Sequence, residues 1–342
     1  MRAVGFTRSL PVDDPECLLD IEVPVPEPTG RQLRVQVLAA SVNPVDVKRR
    51  QNVAAAHPLD APMILGFDAV GTVDACGEDV ELFSCGDAVW YSGSIDRSGS
   101  NAELQLVDER IVGRRPRNLG APEAAALPLT ALTAWEALFD RMRIAEGGGD
   151  ARSLLIIGGA GGVGSIAIQL AKALTGLRVI ATASRDETRQ WCERMGADVI
   201  ANHYDLVNSV RESGAEHVDY ILNCADLLPH WDAISELIAP EGTIVSIVHA
   251  EGPVNLTSLM QKSATFAWEM MSTRPMFETP SMSRQHEILN RLAELVDSEI
   301  IRSTMTEALA GLTAATLVDG HARIESGRMI GKLCIDYNAA LS

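Results

Sequence analysis

Positive charge is scarce in this sequence. Against 46 Asp and Glu stand only 29 Lys and Arg, a formal net charge of −17 at pH 7 over 342 residues. Such a chain is repelled by phosphate backbones and anionic lipid headgroups, so neither nucleic acid nor a membrane is expected as a partner. Basic blocks, Pro-rich tracts and internal repeats are missing too. The opening MRAVGFTRSLPVDDPE has no continuous apolar run, since Asp13, Asp14 and Glu16 arrive early. Without a signal-peptide core, a cytoplasmic location is expected.

The six cysteines (Cys17, Cys76, Cys85, Cys192, Cys224, Cys334) form no C-x-x-C pair, and no His stands at zinc-finger spacing. That argues against a disulfide scaffold or a zinc finger, and the cysteines are read as reduced and mostly buried. No G-x-S-x-G elbow occurs, which disfavours a Ser/His/Asp hydrolase.

What is present is an α/β composition: 46% hydrophobic residues, 22% charged residues and 27 glycines, with only 4% aromatics. The length favours two domains, because single cores stop growing near ~250 to 300 residues. Up to residue 125 the pattern is mostly β, with alternation in QLRVQVLAASV and turns at Gly71, Gly77 and Gly86. PEAAALPLTALTAWEALFD (122–140) turns helical after Pro122. From residue 153 strands and helices alternate, which predicts βαβ units and a parallel sheet covered on both faces. The tail, with the amphipathic RQHEILNRLAELVDS and the strand-like RMIGKLCIDY, is too small for a domain and is expected to complete the N-terminal one.

The run LLIIGGAGGVGSIAIQLAKAL (154–174) could be a membrane span, a packed strand and helix, or a ligand turn. Its glycines fall where strand becomes helix, and Gln169 and Lys172 interrupt it, which disfavours a span. Gly159, Gly161 and Gly164 fit G-x-G-x-x-G in the context that dinucleotide binding requires. Gly159 is expected to permit the tight turn, Gly161 the approach of a pyrophosphate and Gly164 the packing of helix on sheet. Gly162 and Val163 would offer first-turn N–H groups to the anion.

At the end of the next strand, VIATASRDE places Ser184 and Arg185 where NAD enzymes carry an acid for the ribose. A hydroxyl and a guanidinium suit a 2′-phosphate, so NADPH is the expected cofactor, with Arg189 one helical turn beyond. Val248, closing GTIVSIV, and His249 just after it stand at a strand's carboxyl end, where open α/β sheets bind ligands. Val248 is taken as a cofactor residue, while His249 reads more plainly as a loop residue facing solvent.

Together with SVNPVDVK (41–48), LGFDAVGTVDACG (65–77), FSCGDAVW (83–90), AAALPLTALTAWEAL (124–138), GGAGGVGS (158–165) and GKLCIDY (331–337), these features resemble the medium-chain dehydrogenase/reductase superfamily. Within it the chain is similar to the quinone oxidoreductase branch, and more closely to bacterial zinc-type alcohol dehydrogenase-like proteins. The resemblance implies a Rossmann NADPH-binding domain (128–272) inserted into a mostly β, GroES-like catalytic domain (1–127 plus 273–342), and a homodimer. It also implies that Thr130 and Thr133 lie against the nicotinamide.

Zinc alcohol dehydrogenases of the superfamily hold their catalytic metal with Cys, His and Cys. Matching motifs puts Asn43, Phe67 and Leu129 at those places, and none is a normal zinc ligand. The structural-zinc segment, YSGSIDRSGSNAELQL here, contains no cysteine. No bound metal is therefore expected. Without a Lewis acid the suitable substrate is an electron-poor carbonyl or quinone that accepts hydride from NADPH. Asn43 is the first candidate donor to the developing oxyanion, with use as an Asn-Pro turn residue the competing reading. Asp46 is a capping or orienting group, and Lys48 and Tyr91 are candidate proton donors. Two alternatives remain: a zinc-dependent alcohol dehydrogenase, and a non-catalytic, crystallin-like NADPH-binding protein.

Overall fold

In Gln32–Val42, Leu33, Val35 and Val37 are buried while Gln36 is exposed, the period-two pattern of a strand with one face on a core. A computed structural model describes residues 1–339 and builds a seven-stranded sheet around this strand. Asp68–Cys76 pairs antiparallel along one side. Leu104–Asp108 and Lys332–Asp336 share the other, the first against Gln32–Gln36 and the second against Ala39–Val42. Residues from Ser272 on thus belong to the same unit as Met1–Leu129. The amphipathic tail segment is the helix Arg284–Asp297, with Ile288, Leu289, Leu292, Leu295 and Val296 buried.

The second unit is Thr130–Met271. Its six strands are all parallel and run in the spatial order Val199–Ala201, Arg178–Thr182, Ser153–Ile157, Val218–Asn223, Ile238–Ser246, Thr265–Trp268. Numbered along the chain this is 3-2-1-4-5-6, the doubly wound Rossmann order, whose ligand crevice opens at the carboxyl ends of strands one and four. Those ends are Ile157 and Asn223. The central strand SLLII is buried from Leu154 to Ile157 because helices cover both faces of a parallel sheet.

The helical stretch at 122–140 is broken rather than continuous. One short helix spans Ala121–Ala125 and a second Pro128–Trp135, followed by a π-helical turn at Glu136–Arg141. Pro128 has no N–H to donate and can only begin a helix, so it forces the restart. Inside that second helix, between Leu129 and Thr130, the chain passes from one unit to the other. No helix among the described residues is long and apolar enough to cross a membrane.

Candidate functional site

In the second unit, the strand Ser153–Ile157 ends in the glycine turn and the helix Gly162–Leu174 begins directly after it. The left-handed residue is Gly158, at φ +84°, and not Gly159. The turn's demand for an achiral residue therefore falls one position earlier than the spacing suggested. Gly159 is glycine for another reason: a Cβ there would stand 2.8 Å from the Ala181 Cβ and 3.1 Å from the Cys192 Sγ. At Gly164 a Cβ would meet the Gly158 carbonyl oxygen at 2.3 Å, so helix and strand can pack only without a side chain.

Gly161 differs from both. Its backbone is ordinary, at φ −74° and ψ 175°, and a Cβ would touch only the Gly158 oxygen, at 3.5 Å. Neither conformation nor packing requires glycine at this exposed position, which leaves space for a group from outside the chain. Gly162 and Val163 follow in the helix's first turn, where N–H groups have no acceptor four residues back. This backbone cradle fits the diphosphate of a dinucleotide.

The turn is tied to the end of strand two: Gly158 N–H donates to Thr182 Oγ1 at 2.9 Å and Gly159 N–H to the Thr182 carbonyl at 3.2 Å. Ser184 and Arg185 come after the buried Ala183, both exposed, with Arg185 preceding the helix Asp186–Met195. The ion pair from Arg185 to Glu187 is 3.8 Å long and open to solvent, so it holds the guanidinium weakly. Arg189 donates its backbone N–H to the Arg185 carbonyl and is half-buried. Val248 lies just past Ile238–Ser246, its carbonyl accepting from Ser246 Oγ at 3.0 Å, and His249 is exposed. Thr130 and Thr133 are buried on the helix Pro128–Trp135.

The first unit holds a buried polar network that sequence reasoning largely missed. The strand register places Ala40 beside Ala69 and Leu333 beside Val42, which brings Ser41 to Asp68 and Lys332 to Asn43. Asp68 Oδ2 accepts from the Ser41 hydroxyl at 2.5 Å and from Asn43 Nδ2 at 2.8 Å. Asp68 Oδ1 accepts the Leu129 backbone N–H at 2.7 Å. Lys332 Nζ donates to Asn43 Oδ1 at 2.5 Å and to the Val42 carbonyl at 3.1 Å, and stands 3.5 Å from Asp68 Oδ2. Asp68 is fully buried and Lys332 is 3% exposed. An uncompensated charge in that position would cost several kcal/mol, so the two must pair.

Asn43 uses both ends of its amide inside this network. Asp46 caps the helix Pro44–Asn52: one carboxylate oxygen accepts the Asn43 N–H at 2.9 Å and the other the Gly66 N–H at 3.0 Å. Burial raises its pKa to about 6, against the lowering effect of those two N–H groups and of Lys332. Lys48 is exposed on the same helix. Tyr91 is fully buried, its hydroxyl donating to Gln105 Oε1 at 2.9 Å, and burial pushes its pKa up. Asn43, Asp46, Asp68 and Lys332 thus form one cluster, while Lys48 and Tyr91 stand outside these hydrogen bonds.

The residues at the three matched metal positions do not suit zinc. Asn43 offers a neutral amide already bonded on both sides, Phe67 and Leu129 offer hydrocarbon, and the Lys332 ammonium adds a positive charge beside them. Among the described residues no group of three or more His, Cys, Asp and Glu could hold a metal ion.

Residues 29–121 match the alcohol dehydrogenase GroES-like domain family and residues 162–285 the zinc-binding dehydrogenase family. A zinc-type alcohol dehydrogenase-like protein of Staphylococcus aureus is 44% identical over 339 residues, covering 98% of this chain and 100% of the relative. A 2-methylene-furan-3-one reductase of Solanum lycopersicum is 29% identical, over 98% of this chain and 79% of its own. The crystal structure of a putative zinc-dependent alcohol dehydrogenase protein from Rhizobium etli superposes with a TM-score of 0.94 at 44% identity, covering 99% of each chain. With both domain families matched and relatives aligned along the whole length, the chain belongs to the medium-chain dehydrogenase/reductase superfamily of oxidoreductases, beside the bacterial zinc-type alcohol dehydrogenase-like proteins.

Proposed function

We propose that this protein is a zinc-independent, NADPH-dependent oxidoreductase that reduces a quinone or an α,β-unsaturated carbonyl. The observation that carries the reading is that the matched metal positions hold Asn43, Phe67 and Leu129, none a zinc ligand, with the Asn43 amide already bonded to Asp68 and Lys332. Bound NADPH supplies the hydride. Gly161, Gly162 and Val163 hold its diphosphate through backbone N–H groups, and Ser184, Arg185 and Arg189 hold the 2′-phosphate. Thr130, Thr133 and Val248 line the nicotinamide end. Glycines at 159 and 164 let the helix approach the strand closely enough to form that cradle.

Without a metal, the acceptor itself must tolerate the negative charge that hydride brings. An enone does so as an enolate after attack at its β-carbon, and a quinone as a phenolate. Solvent supplies the balancing proton. Tyr91, with its phenol buried and its pKa pushed up, is a poor source, and Lys48 on the exposed helix face is the better side-chain candidate. Asp46 holds the Asn43 turn in place.

The 2-methylene-furan-3-one reductase relative, whose name describes an enone, supports this substrate class. The test is NADPH oxidation with a panel of quinones, enones and simple alcohols, together with metal analysis of protein purified without chelator. Turnover of the first two classes at negligible zinc is expected. Near-stoichiometric zinc with alcohol oxidation would replace this reading by the zinc-dependent one. Tight NADPH binding without turnover would leave a binding protein. The open edge strand Thr265–Trp268, with Trp268 half-exposed, supports a homodimer.

A further inference from the structure

We propose that Asp68 and Lys332 are positioning residues for hydride transfer: their ion pair holds the start of the helix that carries Thr130 and Thr133 to the Asn43 turn. The inference rests on the NADPH-dependent reading above and assigns roles to two residues outside its cofactor contacts.

Four elements distant in sequence meet at one carboxylate. Asp68 opens the strand Asp68–Cys76, Ser41 and Asn43 belong to the end of Gln32–Val42 and the turn after it, Lys332 opens the last strand, and Leu129 is the second residue of Pro128–Trp135. The Leu129 N–H is one of the first-turn groups that a helix cannot satisfy internally, and an anion there is also favoured by the helix dipole. Asp68 Oδ1 supplies that acceptor at 2.7 Å. Thr130 and Thr133 follow in the same helix, the second a single turn beyond Leu129. Fixing Leu129 therefore fixes the start of that helix.

Asp68 can serve only while it is held in place. Lys332 provides the counter-charge at 3.5 Å, and through Asn43 Oδ1 it dictates which way the amide faces. Nδ2 is thereby turned toward Asp68 Oδ2. The network thus locks the turn and the helix start together without a metal. Reaction rates are sensitive to such placement, since a shift of about 1 Å can cost on the order of a hundredfold.

The experiment uses Lys332→Met, Lys332→Arg and the double variant Asp68→Asn/Lys332→Met in the full chain. Single-turnover hydride transfer from 4-deuterated NADPH to a quinone and an enone, NADPH affinity, fluorescence of bound NADPH, and urea unfolding are measured for each. Lys332→Met is expected to slow hydride transfer by about tenfold to a hundredfold, with NADPH affinity held by the untouched glycine turn. Lys332→Arg should restore the rate. The double variant, which removes both members of the ion pair, should recover stability but not rate, which separates positioning from folding. Wild-type hydride transfer in the double variant would overturn the proposal, whether or not Lys332→Met folds. If wild-type protein reduces no quinone or enone, the substrate reading fails. The positioning claim is then read from bound NADPH, whose emission should differ between wild type and the double variant; identical emission overturns it. Failure of wild-type protein to bind NADPH would sink the functional reading and this proposal together.

Discussion

The glycine turn of the second unit, proposed to cradle a diphosphate, and the Asp68 network of the first both meet charge, but with different material. The turn uses backbone N–H groups contributed by consecutive residues, with Gly158, Gly159, Gly161 and Gly164 making room. The network uses side chains brought from positions 41, 43, 68 and 332 and the backbone N–H of Leu129, with Lys332 and Asn43 separated by 289 residues. A local device is protected against small disturbances elsewhere. A device assembled from four elements depends on every register that delivers its parts, so the two should fail differently.

The sharpest break is expected in the network. Asp68→Ala leaves the buried Lys332 ammonium without its ion-pair partner and strips acceptors from Ser41, Asn43 and Leu129. It should cost about 3 to 5 kcal/mol, read from urea unfolding. In the turn, Gly164→Ala is next, because the new Cβ would lie 2.3 Å from the Gly158 carbonyl. A loss of about 1 to 3 kcal/mol, accompanied by weaker NADPH binding, is expected there.

Acid should distinguish the units as well. His321 is fully buried in the first unit, and burial, with Arg50 nearby, lowers its pKa to about 3. The unfolded imidazole, at about 6.5, binds its proton first, so this contribution to stability is complete above that pH. It is lost progressively as pH falls toward about 3, reaching roughly 2 kcal/mol at pH 5. His321→Leu should flatten the fall in urea midpoint between pH 7 and 5, and an unchanged slope would refute the assignment.

The smaller effects concern ligand choice. Arg185→Ala should reduce the preference for NADPH over NADH by about tenfold, measured as a ratio of dissociation constants. Gly161→Ala should leave stability within about 0.5 kcal/mol, because its Cβ makes only an ordinary 3.5 Å contact. NADPH affinity should nevertheless fall. A loss of stability with affinity intact would mean that Gly161 serves packing after all.

Legibility followed the same division. The βαβ alternation, the strand–glycine turn–helix and the closing strand could be read directly, because period and punctuation are local properties of the chain. Local reading still misplaced the turn's left-handed residue by one and ran two helices together across Pro128. Asp68 was visible beside Phe67 but had no discernible partner. Lys332 sat in an apolar strand, LCID following it, with nothing nearby in sequence to explain a buried ammonium.

By itself, the sequence determined the fold class, the place of the glycine turn and the residue types at the matched metal positions, since each is written in the residues themselves. Only the tertiary structure decided that Asn43 spends its amide on Lys332 and Asp68, and that a single carboxylate joins a turn, two strands and a helix start. Strand register fixes those contacts, and register is settled by pairing across the sheet rather than by neighbours along the chain.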